Sequence, residues 1–282
     1  MKFFLKCIKS IILILFNYHT YKTNIFKNKA SDIIFILGSG SSINNFKFWN
    51  CVKKKDSIGF NFFLFHKFIP NFYIFETPNI NNNNQFKSQL ELIDYKLSKN
   101  AGYRKVQFFL KIRPGYSQIS KIFKKNKINF STILDFNFNL KKKKFIKFIR
   151  NKFFFLFNYF FLCGHGVGTL EKICLKAFFS GYKSIVLCGV DLNNTNYFFY
   201  KKKIINKNLH KYIDYIKEFN FRDSRPWLHR TADPKFCRGD IVVQDVLLIY
   251  QKYLFKDKCK IYVTSKKSLL HKYFPLYNNK VK

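Results

Sequence analysis

The residues best suited to chemistry in this 282-residue chain fall in a few short stretches. Leu162-Cys163-Gly164-His165-Gly166-Val167-Gly168-Thr169 sets three glycines in five residues ahead of an amphipathic pattern. Glycine admits positive φ and lets a ligand approach the backbone, and a helix start offers unpaired N–H groups and a positive dipole end to an anion. The stretch reads as a phosphate-sized cradle for a nucleotide or nucleotide sugar, or as a plain tight turn. Gly38-Ser39-Gly40-Ser41-Ser42 follows the apolar run Ile33-Ile34-Phe35-Ile36-Leu37, and Gly59-Phe60-Asn61 ends in either a ligand-facing strand end or a turn residue. Asp191 opens the loop after Ser184-Ile185-Val186-Leu187-Cys188, and Tyr197 leads a polar and aromatic segment. Residues 222–239 show little periodicity and hold His229, Arg230 and Asp233. Histidine titrates near neutrality and can take a proton from an attacking hydroxyl. Four of the seven arginines lie in the same stretch, where bidentate recognition of phosphate or carboxylate would use them, or where they form ordinary surface.

The elements that must position these residues alternate between strand and helix. Ile33–Leu37, residues 57–62, 71–75 and 105–112, and Ser184–Cys188 are apolar runs suited to the buried strands of a mostly parallel sheet, whose ligands sit beyond the strands' carboxyl ends. Helices are expected over 85–97 and 116–125. A third is expected from Thr169, read as N-cap, to a stop at Gly181, and a fourth after Asp240, read as its cap. A last strand at 260–263 precedes a short helix at 268–270. Lys141–Lys144 open an apolar–basic stretch to Arg150 that suits either a membrane surface or an ordinary amphipathic helix. Residues 193–200 and the lysines after them read as a mobile lid. The expected fold is therefore α/β with a mostly parallel sheet, one domain starting at Ser31, with an N-terminal amphipathic segment over 1–30 and a basic tail over 276–282. The first segment is expected as a helix on a membrane face or packed on the domain, with a cleaved signal peptide as the alternative; its uninterrupted apolar run is too short to span a bilayer.

Composition narrows the function. With 48% hydrophobic residues the chain is too apolar for disorder despite its net charge of +37. Only seven of the 52 basic residues are arginine, the mark of a lysine-rich composition written over tolerant surface positions. That charge favours contact with anionic membranes or acidic glycans, and no nucleic-acid motif accompanies it. The seven cysteines include no CxxC pair, so reduced core thiols are expected rather than disulfides or zinc.

Taken in order, these pieces resemble the bacterial sialyltransferases of glycosyltransferase family 42, within a wider group that includes the MptE-like proteins of pterin-phosphorylating or unassigned activity. The matching segments are Ile36–Ser42, Gly59-Phe60-Asn61, Gly181–Asp191 with Tyr197-Phe198-Phe199, His229 before Asp233 and the helix after Asp240, and Ile261-Tyr262-Val263 with Ser268-Leu269-Leu270. The resemblance implies a Rossmann-like, GT-A-type single α/β domain over 31–275 that needs no metal cofactor, binds CMP-sialic acid and passes the sugar to a glycan hydroxyl with inversion. On it, Gly38, Ser39, Gly40, Ser41 and Asn61 would hold the CMP, and Gly166, Gly168 and Thr169 the donor carboxylate or cytidine. Asp191 and Arg230 would complete the substrate site, Tyr197 would hold the leaving phosphate, and His229 would be the general base. Three departures concern the donor. Ser39 stands where the family has asparagine, Asn193 lies near the place of a phosphate-binding tyrosine, and no arginine precedes the loop near Cys163; Arg222, Arg225 or Arg230 would have to supply that charge. The partners implied are a nucleotide-sugar donor and a glycan or glycolipid acceptor, with the protein cytoplasmic and peripheral on the inner membrane face; homo-oligomerisation is left open. The alternatives are Mg²⁺-dependent phosphoryl transfer to a pterin-like alcohol, with Asp191 and Asp233 as metal ligands, and a non-catalytic nucleic-acid-binding protein.

Overall fold

The computed structural model describes residues 26, 29–76, 83–111, 116–152, 154–155, 158, 161–193, 196–200, 210, 213, 228–237 and 239–278. The N-terminal amphipathic segment, apart from its last residues, lies outside them, as do Arg222, Arg225, Arg238 and the lysines that follow Tyr200.

Seven parallel strands form the central sheet. They are β1 (Ile33–Leu37), β2 (Asp56–Phe60), β3 (Phe72–Phe75), β4 (Gln107–Lys111), β5 (Phe130–Ile133), β8 (Ser184–Cys188) and β9 (Lys260–Val263), in the order β5-β4-β3-β2-β1-β8-β9. A separate parallel pair joins β6 (Asp135–Asn137) to β7 (Leu162–Gly164). Every residue of β1, β2 and β8 is buried, because both faces of the sheet are covered, and this is why these strands read as continuous apolar runs. Alternation then divides the core in two. Ile34, Ile36, Ile185 and Leu187 join Ile58 and Phe109 on one face, while Ile33, Phe35, Leu37, Val186 and Cys188 join Tyr73 and Phe108 on the other.

Helices cover both faces. On the second face lie α1 (Trp49–Lys53), α2 (Asn83–Lys99) and α3 (Tyr116–Lys125), anchored by Val52, Leu92, Ile93, Leu97, Ile119 and Phe123. On the first lie α4 (Lys142–Ile149), α5 (Thr169–Phe179) and α6 (Val243–Tyr250). Phe145 and Ile149 of α4 are fully buried, so its apolar stripe is spent on the core; it is an ordinary amphipathic surface helix, not a free membrane face. Asp240 does not cap the helix that follows it. Its Oδ1 accepts the N–H of Lys142, the first residue of α4, at 3.0 Å, and Asp245 takes the Val242 N–H at the start of α6 at 3.4 Å. No helix among the described residues is long and apolar enough to cross a membrane.

The domain overruns both expected boundaries. Phe26 is buried edge-on against Phe72 and Tyr182, and Ala30 and Ser31 donate backbone N–H bonds to Asp56. At the other end Leu276 bridges to Val263, and Tyr277, 5% exposed, packs edge-on against Phe35 and Phe48. Leu276 and Tyr277 therefore belong to the packed domain rather than to a tail, and Asn278 is exposed beyond them. Lysine is not confined to the surface either: Lys111, Lys172 and Lys176 are buried. The described cysteines are all free, and burial pushes the thiols of Cys163, Cys174 and Cys188 well up.

Replacing Tyr277 with Ala is expected to cost about 3 kcal/mol, the scale of a buried aromatic removed from a packed core. Urea unfolding checks this: a midpoint unchanged from the parent chain would return residues 276–278 to the status of a tail.

Candidate functional site

The sheet order reverses direction at β1, whose successors run outward to β5 on one side while β8 and β9 lie on the other. A crevice opens at such a switch point, at the carboxyl ends of the strands. Here the two loops that leave β1 and β8 touch along their backbones. Gly38 N–H donates to Cys188 O and Gly40 N–H to Gly189 O, each at 2.7 Å. A Cβ on Gly38 would lie 2.6 Å from Gly189 O, and one on Gly40 2.7 Å from Asp191 Oδ2. Both glycines are fixed by this loop-to-loop approach. Asp191 pins it: its Oδ2 accepts the Ser42 N–H at 2.9 Å and the Ser41 hydroxyl at 3.4 Å. Its Oδ1 is buried without a hydrogen-bond partner among the described residues.

The second wall comes from β2. Asn61 has φ 51°, a left-handed conformation that asparagine tolerates better than most residues. The Tyr73 hydroxyl holds it from beneath, donating to Asn61 O while accepting the Leu64 N–H at 2.8 Å. Gly59 is needed for this, since a Cβ there would sit 2.7 Å from the Tyr73 ring.

The third wall departs from expectation. Leu162–Gly164 is a strand, β7, and the glycine loop that follows holds an anion supplied by the chain itself. Glu171, fully buried in the first turn of α5, accepts the Gly166 N–H at 2.9 Å and the Tyr250 hydroxyl at 2.7 Å. A Cβ on Gly164 would fall onto the same carboxylate. Burial raises the carboxyl's pKa, against the Lys172 charge and the two hydrogen bonds. Gly166, at φ 104°, faces Asn137 and Asn139 and does not line the crevice. Thr169 is the first helical residue rather than the cap. Its hydroxyl donates to Glu76 Oε2 at 2.9 Å and accepts from Lys111 Nζ at 2.8 Å. Lys111 also lies 3.5 Å from Asp135, which is paired with Lys172. A buried ionic network thus fixes the base of this wall.

The fourth wall closes the cleft. Asn196 O and Ser39 O accept the backbone N–H groups of Ser41 and Phe198 at 3.1 and 3.0 Å. The Tyr197 ring stacks on Phe199 at 5.2 Å and meets Phe62 edge-on. Phe198 and Phe199 are fully buried, so residues 197–200 are anchored to the core and not a free lid; the lysines expected to extend it lie outside the described residues. His229 donates its backbone N–H to Leu192 O at 2.9 Å. Desolvation depresses its imidazole pKa to about 4.

One cleft of about 610 Å³, mouth included, is lined by Gly38, Ser39, Gly40, Asn61, Gly168, Thr169, Asp191, Tyr197 and His229 from the expected set. Ser41, Gly166 and Arg230 fall outside the lining. The exposed Arg230 guanidinium lies 4.9 Å from the Phe236 ring centre. Asp233 caps the turn Pro234–Phe236 by accepting the Lys235 N–H at 2.9 Å and does not line the cleft. Among the described residues no group of three or more His, Cys, Asp and Glu could hold a metal ion. The lining also takes in Thr231, which the sequence placed in the aperiodic loop around His229 without a role, and Asn196 and Leu192, which sequence reasoning did not assign to the site. Their positions follow from loop geometry, and their only sequence signal was proximity to Asp191, Tyr197 and His229.

No family model matches the chain, and no curated protein matches it. Among solved structures, the chain is similar to the monofunctional alpha-2,3-sialyltransferase Cst-I from Campylobacter jejuni, with 18% identity over 91% of this chain and 83% of that one and a TM-score of 0.47. The sialyltransferase CST-II in complex with trisaccharide acceptor and CMP gives 18% identity, 88% and 86% coverage and a TM-score of 0.45. An apo alpha-2,3-sialyltransferase from Campylobacter jejuni gives 19%, 92% and 85%, and 0.41. What the cleft of this chain can do is set by its own residues.

Glu171→Ala would strand the Gly166 N–H and the Tyr250 hydroxyl, a loss of about 1–3 kcal/mol for buried donors left unpaired. Chemical denaturation checks this; undiminished stability would mean that the loop does not depend on its internal carboxylate.

Proposed function

We propose that this chain is a glycosyltransferase that takes a sugar, sialic acid or a relative, from a CMP-activated donor and passes it to a glycan or glycolipid hydroxyl with inversion. The observation that carries the reading is convergence: residues from five separated stretches, singled out for donor binding and proton transfer, line one cleft at the sheet's switch point. The glycine loops after β1 and β8 offer close backbone approach to a nucleotide. The start of α5, at Gly168 and Thr169, offers N–H groups and a positive dipole end to phosphate. The unpartnered Asp191 Oδ1 at the floor suits a ribose or sugar hydroxyl as donor. Tyr197 stands at the cleft wall as the phosphate's hydroxyl partner.

The chemistry is a single displacement. The acceptor oxygen bonds to the anomeric carbon, the bond from that carbon to the phosphate oxygen breaks, CMP leaves with the electron pair, and the acceptor proton passes to His229. One displacement inverts the centre. No metal is required in this scheme. Mg²⁺ belongs to the pyrophosphokinase alternative, whose two carboxylates are poorly placed for it: Asp191 is engaged by Ser41 and Ser42, and Asp233 caps a turn away from the cleft. The lysine-rich surface would hold the protein at the inner membrane face beside lipid-linked acceptors, without specific nucleic-acid binding.

Calorimetric titration with CMP, CMP-sialic acid, UDP-sugars and ATP, each with Mg²⁺ and with EDTA, tests the donor. Cytidine nucleotides are expected to bind equally in both; silence from all of them, or ATP binding that needs Mg²⁺, would overturn the reading. His229→Ala is expected to lower kcat about 10²–10⁴-fold, the usual contribution of a positioned base, with donor affinity retained. Because burial favours the neutral imidazole, the base stays unprotonated as pH falls until about 4. The acid limb of kcat/KM, which reports the free enzyme, should therefore fall near that pH rather than near 6.5. A bound anionic donor favours the imidazolium and should move the corresponding limb of kcat upward.

A further inference from the structure

The cleft holds little positive charge. Among the described residues that line it there is no lysine and no arginine, although the chain carries 52 of them. Two anion-binding groups of the glycine-loop wall are also taken: Glu171 accepts the Gly166 N–H, and the Thr169 hydroxyl donates to Glu76 while accepting from Lys111. A second pocket has the opposite character. Lys266, Lys267 and Lys272 line it, all exposed, with His271 beside them and no carboxylate among the described residues of its wall. A composition that spread lysine evenly over the surface would not empty one pocket and make lysine three of the seven residues lining the other. None of these three lysines is in an ion pair among the described residues, whereas Lys29, Lys125 and Lys183 are.

The two pockets share a wall. Val190, Asp191 and Leu192 line the cleft, and Asn193, the next residue, lines the basic pocket. Hydrogen bonds fix one side of the wall to the other: Ser268 Oγ donates to Val190 O at 2.6 Å, the Leu269 N–H to Asp191 O at 2.8 Å, and Asn193 Nδ2 to Lys267 O at 2.5 Å. The backbone that carries the lysines is therefore held in a set relation to the cleft. His229 hangs from Leu192 O on the same wall, which puts the basic pocket next to the residue at which an acceptor hydroxyl would lose its proton. We propose that this pocket is an anion subsite that receives a phosphate or carboxylate carried by the acceptor. This rests on the transferase reading, in which the acceptor lies against His229. Three ammonium groups suit such a partner, since each is a compact charge with three donors and imposes no planar geometry of the kind a guanidinium does. The donor's phosphate would keep the N–H groups at the start of α5, so the two anions of a ternary complex would not compete for one site.

Nitrogen-15 NMR of the full chain, labelled at histidine, follows the His271 ring during titration with inorganic phosphate at fixed pH, with His271→Gln identifying the signal. A saturable shift is expected in the parent chain. It should be lost in Lys266→Gln/Lys267→Gln/Lys272→Gln and kept in Lys142→Gln/Lys143→Gln/Lys144→Gln, which removes the same charge from the exposed start of α4. A ring that never responds to phosphate, or that responds equally in both triple variants, would overturn the inference. With CMP-sialic acid as donor, kcat/KM for lactose 1-phosphate and for lactobionate is then compared with that for lactose. The advantage of the charged acceptors should fall about tenfold or more in the pocket variant, the scale of losing charge-assisted hydrogen bonds, and hold in the α4 variant. An advantage that is absent from the parent chain, or that survives the loss of the three lysines, would also overturn the inference. Failure of cytidine nucleotides to bind would instead remove the transferase reading, and the phosphate titration would still decide whether the pocket takes an anion.

Discussion

The cleft depends on two polypeptide backbones that lie against each other. Where β1 and β8 end, no side chain fits between them: Gly38 and Gly40 donate to the opposite loop, and a methyl group on either would overlap it. Parallel strands carry their successors away through long crossovers, so adjacent loops at the sheet edge come from distant parts of the chain. Asp191 ties these two together by holding Ser41 and Ser42. Asn196, Tyr197 and Phe198 then lay a further segment across the joined loops, and the backbone of His229 is hung from Leu192, one residue past the pin. Asp191, Tyr197 and His229 reach their places through that contact, while Asn61 and Thr169 are held from the opposite walls.

Much of this was legible from residue patterns, and the failures share a cause. β1 and β8 stood out because a strand covered on both faces must be apolar at every position. β5 and β6 did not, because their polar residues are held by distant partners, and β7 was hidden in the stretch read as a glycine loop. Ser131 is bonded by the Gln107 amide at 3.2 Å, and Asp135 by Lys172 on α5; local periodicity cannot display such partners. The glycine loop misled for a related reason. Glycines that admit a phosphate and glycines that admit a carboxylate from the same chain leave one sequence signature, and only the acidic residue in the first turn of the following helix hinted that the anion was internal. His229 and Tyr197 were found through the order of motifs. Thr231 fell in the same aperiodic loop but drew no role of its own, because a residue two places along a 3-10 turn follows no periodic rule.

The basic composition also divides once the fold is known. Most of the lysines decorate the surface, but Lys111 and Lys172 are embedded among Glu76, Asp135, Thr169 and Asn137 with little exposure. A buried ion pair is costly to break from one side, since the survivor keeps its desolvation without its partner. The compositional drift that filled the surface therefore stops at the wall of the cleft, where charge is balanced residue by residue.

The strand order has a consequence for synthesis on the ribosome. β1 is made early and can pair with β2 as soon as that strand emerges, but its other edge waits for β8, which is made only after β2 to β7 and most of the helices. Until then the most apolar strand of the protein offers an open row of backbone donors and acceptors, the kind of edge that recruits wrong partners. Tyr277, which packs on Phe35 of that same strand, follows all nine described strands along the chain. The nascent chain must therefore carry an unfinished centre until β8 has been made, and the cleft closes only as the core around β1 is sealed.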